Sequence, residues 1–219
     1  GEAYGTIVHE IANPLNSIIM YAELIKQTYD GTNKIDPAKL MSQLDTIQSS
    51  GFRIDNIIKD IKDFINSKPT KKENFTIKSL LPEILDGFKA IKYSSQVTLN
   101  TDEVSALSVN FDKGQLYRLI INLLSNAVDA ISDKNEKWIK ISTEEDFKFI
   151  KIRITDCGDG IPASVVNKIF AKGYSNKKAC KGTGLGLDIC RKILHAYDGT
   201  LNYELFNGNT SFVIYIPKS

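Results

Sequence analysis

Residues 149–160 read Phe-Ile-Lys-Ile-Arg-Ile-Thr-Asp-Cys-Gly-Asp-Gly, and this stretch predicts a strand and a glycine-rich turn in the second half of the chain. Apolar and charged side chains alternate along Phe149–Thr155, which is the pattern of a strand with one buried face. A turn that begins with Asp156 follows at once and contains Gly158 and Gly160. Because glycines allow backbone amides to come close to a bound anion, this end of the strand is a candidate binding site.

Helix and strand patterns alternate around this turn. The periodicity predicts helices over Ile77–Ile91, Lys113–Ser132 and Leu185–Tyr197, and strands over Val97–Asn100, Trp138–Glu144, Phe149–Thr155, Thr200–Leu205 and Ser211–Ile216. Hairpin turns are expected at Asp146 and at Asn207-Gly208-Asn209. Interleaved helices and strands of this kind predict helices packed on one face of a mixed sheet.

A second glycine-rich segment, Gly182-Thr183-Gly184-Leu185-Gly186-Leu187, opens the last predicted helix. No acidic residue occurs from Ile161 to Leu187, whereas this stretch contains Lys168, Lys172, Lys177, Lys178 and Lys181. A basic, glycine-hinged loop before a helix N-terminus favours a polyphosphate ligand. A solvated basic surface without a ligand remains the alternative.

The predicted helix over Lys113–Ser132 carries two amides, Asn122 and Asn126, spaced i, i+4 on one face. Amide oxygens are hard ligands that Mg²⁺ accepts beside phosphates. Two asparagines on a helix are more often surface or capping residues, so this pair alone decides nothing.

The first half of the chain has the pattern of a helical hairpin. Apolar residues recur every three or four positions at Val8, Ile11, Leu15, Ile18, Ala22 and Ile25, and again at Leu40, Leu44, Ile47, Ile54, Ile58, Ile61 and Ile65, with Gly51 as the one gap. Spacing of this kind is typical of helices in bundles. Asp30–Lys34 is turn-forming, and Asp36-Pro37 predicts the start of the second helix.

A hairpin of about 65 residues cannot bury both apolar faces by itself, because small units expose too much of their surface. Two copies would form a four-helix bundle, so we expect a homodimer through this half. Packing of the hairpin on the second half of its own chain is the alternative. Ser67–Lys72, which is polar and basic and contains Pro69, predicts a linker between the halves.

His9 falls one position beside the apolar seam, so its imidazole is expected to face solvent, near Glu10, Asn13 and Asn16. Pro14 has no N–H and leaves the carbonyl of Glu10 without its helical partner, which predicts a bend. A polar patch at a helix bend is a candidate catalytic site, although a single histidine is more often structural.

Composition excludes several classes of protein. Hydrophobic residues make up 42% and charged residues 25% of the 219 residues, and the net charge of +2 gives no support to a nucleic-acid surface. No uncharged run approaches the roughly 20 residues of a spanning helix, so no membrane segment is expected here. Three cysteines without metal-ligand spacing favour a reducing, cytoplasmic setting. The missing initiator methionine suggests a larger protein, of which this chain could be the cytoplasmic portion.

Taken together, these segments resemble the catalytic core of a sensor histidine kinase, and most closely the nitrogen-regulator type. Five segments occur in the order of that family: His9-Glu10-Ile11-Ala12-Asn13-Pro14-Leu15 is similar to the H box, Asn122–Ala130 to the N box, Asp156-x-Gly158-x-Gly160 to the G1 box, Ile169-Phe170 to the start of the F box, and Gly182–Leu187 to the G2 box. The resemblance covers essentially the whole chain.

The resemblance implies an α+β chain of two domains. Residues 1–68 would be the dimerisation and histidine phosphotransfer domain, a helical hairpin that forms a dimeric four-helix bundle. Residues 69–219 would be a catalytic ATP-binding domain, an α/β sandwich of the Bergerat type. The implied activity is ATP-dependent autophosphorylation on histidine, followed by phosphotransfer to an aspartate of a response-regulator receiver domain in two-component signalling.

The resemblance also assigns roles to the H box. His9 would be the phosphoacceptor, and Glu10 would act as the general base that takes the imidazole proton. Asn13 would position the γ-phosphate, or a hydrolytic water in a phosphatase mode of the same enzyme. Whether phosphotransfer occurs within one protomer or between two is left open.

The nucleotide residues follow from the other boxes. Asn126 would ligate Mg²⁺ with help from Asn122, and Asp156 would accept a hydrogen bond from the adenine amino group. Residues 171–183 would form a lid over the nucleotide. The remaining implied ATP-binding residues are Asp129, Gly158, Gly160, Ile161, Phe170, Lys172, Tyr174, Lys177, Gly182, Thr183, Gly184, Leu185, Gly186 and Leu187.

The chain departs from the family pattern in the F box, where Lys172 replaces a common proline and Gly173-Tyr174-Ser175 replaces an aromatic pair. The implied lid contacts are therefore the weakest part of the resemblance. Two other functions remain open at this point: a Bergerat ATPase or kinase in which His9 has no role, and a non-catalytic dimeric adaptor that presents His9 to an external phosphodonor.

Overall fold

The structure is a computed structural model that describes residues 2–29, 36–65, 71–91, 93–166, 168–170 and 186–218, without the side chains of residues 2–10, 53, 56 and 59–65. The predicted turn at Asp30–Lys34 and most of the predicted linker lie outside the described residues. The described chain divides into two compact units: the first contains the helical hairpin up to Ile65, and the second contains the sheet and its helices.

The hairpin consists of helices α1 (Glu2–Thr28) and α2 (Pro37–Ile65), which pack against each other. Asp36 caps α2 as predicted, because its Oδ1 accepts a hydrogen bond from the N–H of Ala38 at 3.0 Å. Pro14 is buried inside α1, and the helix continues on both sides of it. Ile57 is 1% exposed, whereas Leu15, Leu44 and Ile58 are 40–45% exposed. The predicted apolar seam is thus only partly covered within one chain.

Within its described residues, the second unit has seven strands, four further helices and two short 3-10 helices. The strands are β1 (Glu73–Thr76), β2 (Thr98–Glu103), β3 (Ser108–Phe111), β4 (Trp138–Glu145), β5 (Phe149–Asp156), β6 (Thr200–Phe206) and β7 (Asn209–Pro217), and the helices are α3 (Leu81–Lys89), α4 (Lys113–Ala130), α5 (Ala163–Val166) and α6 (Gly186–His195). The 3-10 helices cover Ile77–Leu80 and Ser94–Gln96.

Five strands form one sheet in the order β2-β4-β5-β7-β6. The β2–β4 pair is parallel and the other pairs are antiparallel, so the sheet is mixed as predicted. One sheet face presents alternate, buried isoleucines such as Ile141, Ile152 and Ile214. Helix α4 packs on β4 and β5, and α6 packs on β6 and α4. The chain therefore has the α+β fold that the sequence predicted.

The structure differs from the sequence prediction at short elements. Strands β1 and β3 form a separate two-stranded antiparallel sheet that was not predicted, and neither was α5. The predicted helix over Ile77–Ile91 begins as a 3-10 helix and becomes α3 at Leu81, because Pro82 favours the first turn of a new α-helix. Among the described helices, none is both long enough and apolar enough to cross a membrane.

Candidate functional site

The site is built around Asp156, the last residue of β5. Its side chain is 2% exposed, and its Oδ1 accepts a hydrogen bond from the N–H of Gly158 at 2.8 Å. The hydroxyl of Thr210 on β7 also donates to this carboxylate. A buried carboxylate with two donors fixed by the protein still has lone pairs for a third, so it can accept a hydrogen bond from a ligand.

Two glycines of the turn are required by its geometry. A Cβ at Gly158 would lie 2.6 Å from Asp156 Oδ1 and 2.9 Å from Thr210 Oγ1. Gly160 has a φ of +92°, and a Cβ there would lie 2.5 Å from Leu205 Cδ1. Another residue at Gly158 would displace the carboxylate, and one at Gly160 would have a strained positive φ and would push the Leu205 side chain aside.

Two hydroxyl groups that the sequence analysis missed hold the same turn in place. Thr210 Oγ1 accepts a hydrogen bond from the N–H of Gly160 at 3.2 Å, and Tyr203 Oη accepts one from the N–H of Ile161 at 2.8 Å. Both residues come from strands more than 40 positions along the chain. No local motif indicates them, because their roles depend on strand register.

The two asparagines lie on α4, which Asp112 caps by accepting a hydrogen bond from the N–H of Gln115 at 2.9 Å. Asn122 Nδ2 donates to the carbonyl of Gly186 at 3.2 Å, so α4 meets the first residue of α6 at this point. A Cβ at Gly186 would lie 3.0 Å from Asn122 Oδ1. This close approach explains the glycine where the last helix begins.

The other predicted residues of α4 and α6 are partly exposed. Asn126 and Asp129 lie on α4, where each makes contacts within the protein, and Leu187 is the second residue of α6. Phe170 packs edge-on against Phe212 of β7, with ring centroids 6.4 Å apart. The structure thus brings the start of the predicted F box onto the strand that also carries Thr210.

Burial raises the pKa of Asp156 to about 6, against the opposing effects of the Gly158 N–H, the Thr210 hydroxyl and the positive charge of Lys134. Lys134 follows α4, and its Nζ lies 2.5 Å from Asp159 Oδ2 in the turn. Near pH 7 the carboxyl group is mainly ionised, which is the form that accepts hydrogen bonds. Perturbed carboxyl groups in clefts are frequent at functional sites.

The remaining predicted residues cannot be placed in this site. Lys172, Tyr174, Lys177, Gly182, Thr183, Gly184 and Leu185 lie outside the described residues. His9 and Glu10 belong to α1 in the other unit, where their side chains are not described. Asn13, one helical turn after His9, is exposed to solvent.

Two family models match the chain. The model of the His Kinase A (phospho-acceptor) domain covers residues 2–67, and the model of the histidine kinase-, DNA gyrase B- and HSP90-like ATPase covers residues 111–219. The first therefore spans both helices of the hairpin, and the second includes Asp156, both asparagines of α4 and Thr210.

Two histidine kinases are similar in sequence to this chain over nearly its whole length. Sporulation kinase A of Bacillus subtilis (strain 168) is 29% identical over 223 residues, covering 100% of this chain and 34% of that protein. The sensory histidine kinase/phosphatase NtrB of Rhodobacter capsulatus is 26% identical over 96% of this chain and 60% of that protein. This chain thus spans less than two thirds of these relatives.

A solved structure also matches the whole chain. The crystal structure of histidine kinase ThkA in complex with response regulator protein TrrA superposes with a TM-score of 0.73 at 25% identity, covering 100% of this chain and 62% of that one. The match includes both the hairpin and the sheet.

Proposed function

This chain belongs to the sensor histidine kinases and is their catalytic core, and from that premise we propose that it transfers the γ-phosphoryl group of ATP to His9 and then to an aspartate of a response regulator. The observation that carries this proposal is the buried carboxylate of Asp156, held beside two glycines that leave room for a ligand. The match to the model of the histidine kinase-, DNA gyrase B- and HSP90-like ATPase supports ATP as the ligand.

Asp156 selects adenine through its acceptor character. The 6-amino group of adenine donates a hydrogen bond, whereas guanine presents a carbonyl oxygen at that position, and two acceptors repel each other in a buried site. The hydroxyl of Thr210 already donates to the carboxylate and fixes its orientation. The third donor is then the nucleotide, and the site prefers ATP to GTP.

The donor set fits Mg²⁺ held mainly by phosphates. The described residues contain no cluster of three His, Cys, Asp or Glu side chains that could hold a metal alone. The Asn122 amide nitrogen donates to Gly186, so the amide oxygen would be the atom available to a cation. Mg²⁺ usually takes one or two protein ligands beside phosphates. Asn126, with Asn122, would hold the ion, which neutralises phosphate charge when bound.

His9 is the nucleophile in this proposal, on the strength of the family resemblance. An imidazole nitrogen forms a bond to the γ-phosphorus while the bond to the oxygen bridging the β- and γ-phosphates breaks, which releases ADP. Glu10 takes the proton that the imidazole loses. Asn13 is exposed one turn later on α1, where its amide can contact a γ-phosphate oxygen.

We propose that the receiver domain of the response regulator binds to an exposed apolar patch on α1. Met20 and Leu24 are 48% and 39% exposed and are spaced i, i+4, two to three turns after Asn13. Exposed apolar side chains on a polar helix face are typical of an interaction site. ThkA, a structure similar to this chain, was solved with a response regulator bound.

We propose that the homodimer forms through the exposed apolar seam of the hairpin. Leu15, Leu44 and Ile58 remain exposed within one chain although they follow the predicted bundle spacing. A second hairpin would cover them and complete a four-helix bundle.

We further propose that the enzyme works in the cytoplasm, where ATP is available, and that it also dephosphorylates its response regulator. NtrB is named a histidine kinase/phosphatase, and the exposed amide of Asn13 would orient the hydrolytic water in this mode.

Incubation with ATP labelled in the γ-phosphate and Mg²⁺ tests the kinase proposal. The chain should become labelled with phosphate that is lost in acid and retained in alkali, since the phosphorus–nitrogen bond of phosphohistidine is labile to acid. Labelled GTP should give far less product. Acid-stable label, or equal labelling from GTP, would contradict the proposal.

A further inference from the structure

A groove of about 550 Å³ lies between α6 and β6, and among its described lining residues Phe170 is the one that the resemblance also assigns to the nucleotide. The continuous strand segment Thr200–Glu204 lines one side of the groove, and Phe170, Arg191 and His195 are among the residues that line the rest. Five consecutive strand residues extend over roughly 17 Å at 3.3 Å each. A groove that follows a strand over this length fits an extended chain better than a compact ligand.

Strand β6 is the last strand of the sheet, with β7 as its one neighbour among the described strands. Its sequence, Thr-Leu-Asn-Tyr-Glu-Leu-Phe, contains neither lysine nor proline, the residues that commonly block pairing at a sheet edge. The opposite edge, β2, has a register irregularity between Asn100 and Glu103 and ends in two acidic residues. Of the two edges of the sheet formed by the described strands, β6 is therefore the one better suited to pair with a further strand.

The charges along the groove favour an acidic occupant. Arg191 and His195 are spaced i, i+4 on α6 and are both exposed. Within the described part of the chain, neither lies within ion-pair distance of a carboxylate; Arg191 donates to the Phe170 carbonyl at 3.5 Å. Glu204, the carboxylate of the groove, is engaged by Arg153 at 2.7 Å and by the Tyr215 hydroxyl at 2.9 Å.

We propose that this groove binds an extended acidic peptide segment of a partner protein, which adds to β6 as a sixth strand. The peptide backbone would pair with the β6 edge, and its carboxylates would meet Arg191 and His195. The groove shares Phe170 with the implied nucleotide residues, and its described lining includes neither Asp156 nor His9.

Fluorescence anisotropy with a labelled octapeptide of four Val-Glu repeats tests the proposal on the whole chain. We expect saturable binding that weakens about tenfold in the double variant Arg191→Gln/His195→Gln, since charge-assisted hydrogen bonds are lost. A peptide of Val-Lys repeats should not bind. The double variant Lys78→Gln/Lys148→Gln removes positive charge elsewhere on the surface and should bind as the parent chain does. Equal losses in the two double variants would overturn the proposal.

Two further measurements test strand addition itself. A Val-Glu peptide methylated at alternate backbone nitrogens should lose binding, and amide NMR signals of β6 rather than β2 should shift on titration. Unchanged binding of the methylated peptide, or shifts confined to β2, would overturn the proposal. Shifts of the β6 amide signals with the concentration of the chain alone would also overturn it, because they would indicate two chains paired through β6.

Discussion

The two units of this chain differ in how they bury their apolar residues. In the second unit, Phe111, Leu119 and Ile152 are fully buried, as are many of their neighbours. In the hairpin, Pro14 and Ile57 are the buried apolar side chains among those the structure describes, and Leu15 and Leu44 remain exposed. Two helices share only one face, whereas a sheet covered by helices encloses a core. The second unit is therefore self-sufficient, and the hairpin needs a partner.

The substitution Leu44→Lys should have the largest effect, because it changes one of the apolar side chains that the hairpin leaves exposed. A charge at the centre of the proposed seam occurs twice in a dimer, and each lost leucine contact costs about 1.5–3 kcal/mol. We expect dimer dissociation by sedimentation equilibrium, together with a lower melting temperature for the hairpin and an unchanged one for the second unit.

Ser49→Lys is the matched control, because Ser49 is exposed on the same helix, well round from Leu44. It should leave the dimer intact. If Leu44→Lys were also dimeric, the hairpin would have to find its partner elsewhere, and the alternative of packing on its own chain would gain support.

Asp156→Asn should weaken ATP binding by about 1.5–3 kcal/mol, the usual value of a hydrogen bond to a charged group. Isothermal titration with a non-hydrolysable ATP analogue measures this loss. The same variant should make the ligand-free second unit more stable near pH 8, because it removes a buried charge. Weaker binding accompanied by lower stability would instead indicate simple disruption of the fold.

The stability of the second unit should depend on pH through Asp156. Its folded pKa of about 6 lies above its ordinary value of 3.8, so the folded state binds the proton more tightly. Stability therefore increases as the pH falls from 6 to 4, by about 2 kcal/mol for this group. Urea unfolding at several pH values should show this increase in the parent chain and lack it in Asp156→Asn.

Long periodic elements could be predicted from the sequence, and short ones could not. Strands β4 and β5 and helix α4 were predicted to within two residues at each end, because their apolar periodicity extends over many positions. Strands β1 and β3 have four residues each and pair across more than 30 residues of chain, so no local pattern indicates them.

The site divides in the same way. Asp156 and its glycines were predictable because their spacing is local. Thr210 and Tyr203 were missed because strand pairing, not sequence spacing, brings their hydroxyl groups to the turn. Residues of the predicted lid, such as Lys177, remain predictions, since they lie outside the described residues.

Tyr203→Phe should have the smallest effect. It removes the acceptor for the Ile161 N–H but keeps the ring packed near Phe212. We expect about a fivefold increase in KM for ATP, equivalent to about 1 kcal/mol, with little change in overall stability. Tyr215→Phe removes a hydroxyl bond to Glu204, away from the turn, and should leave KM unchanged. Equal changes in both variants would contradict a specific role for Tyr203.

The most direct test of the proposed function is phosphate incorporation into a His9→Gln variant whose nucleotide binding is measured in the same preparation. The proposal predicts no acid-labile phosphate and unchanged affinity for the ATP analogue, because the two units contribute separate parts of the reaction. Full labelling of this variant would contradict the assignment of His9 as the phosphoacceptor.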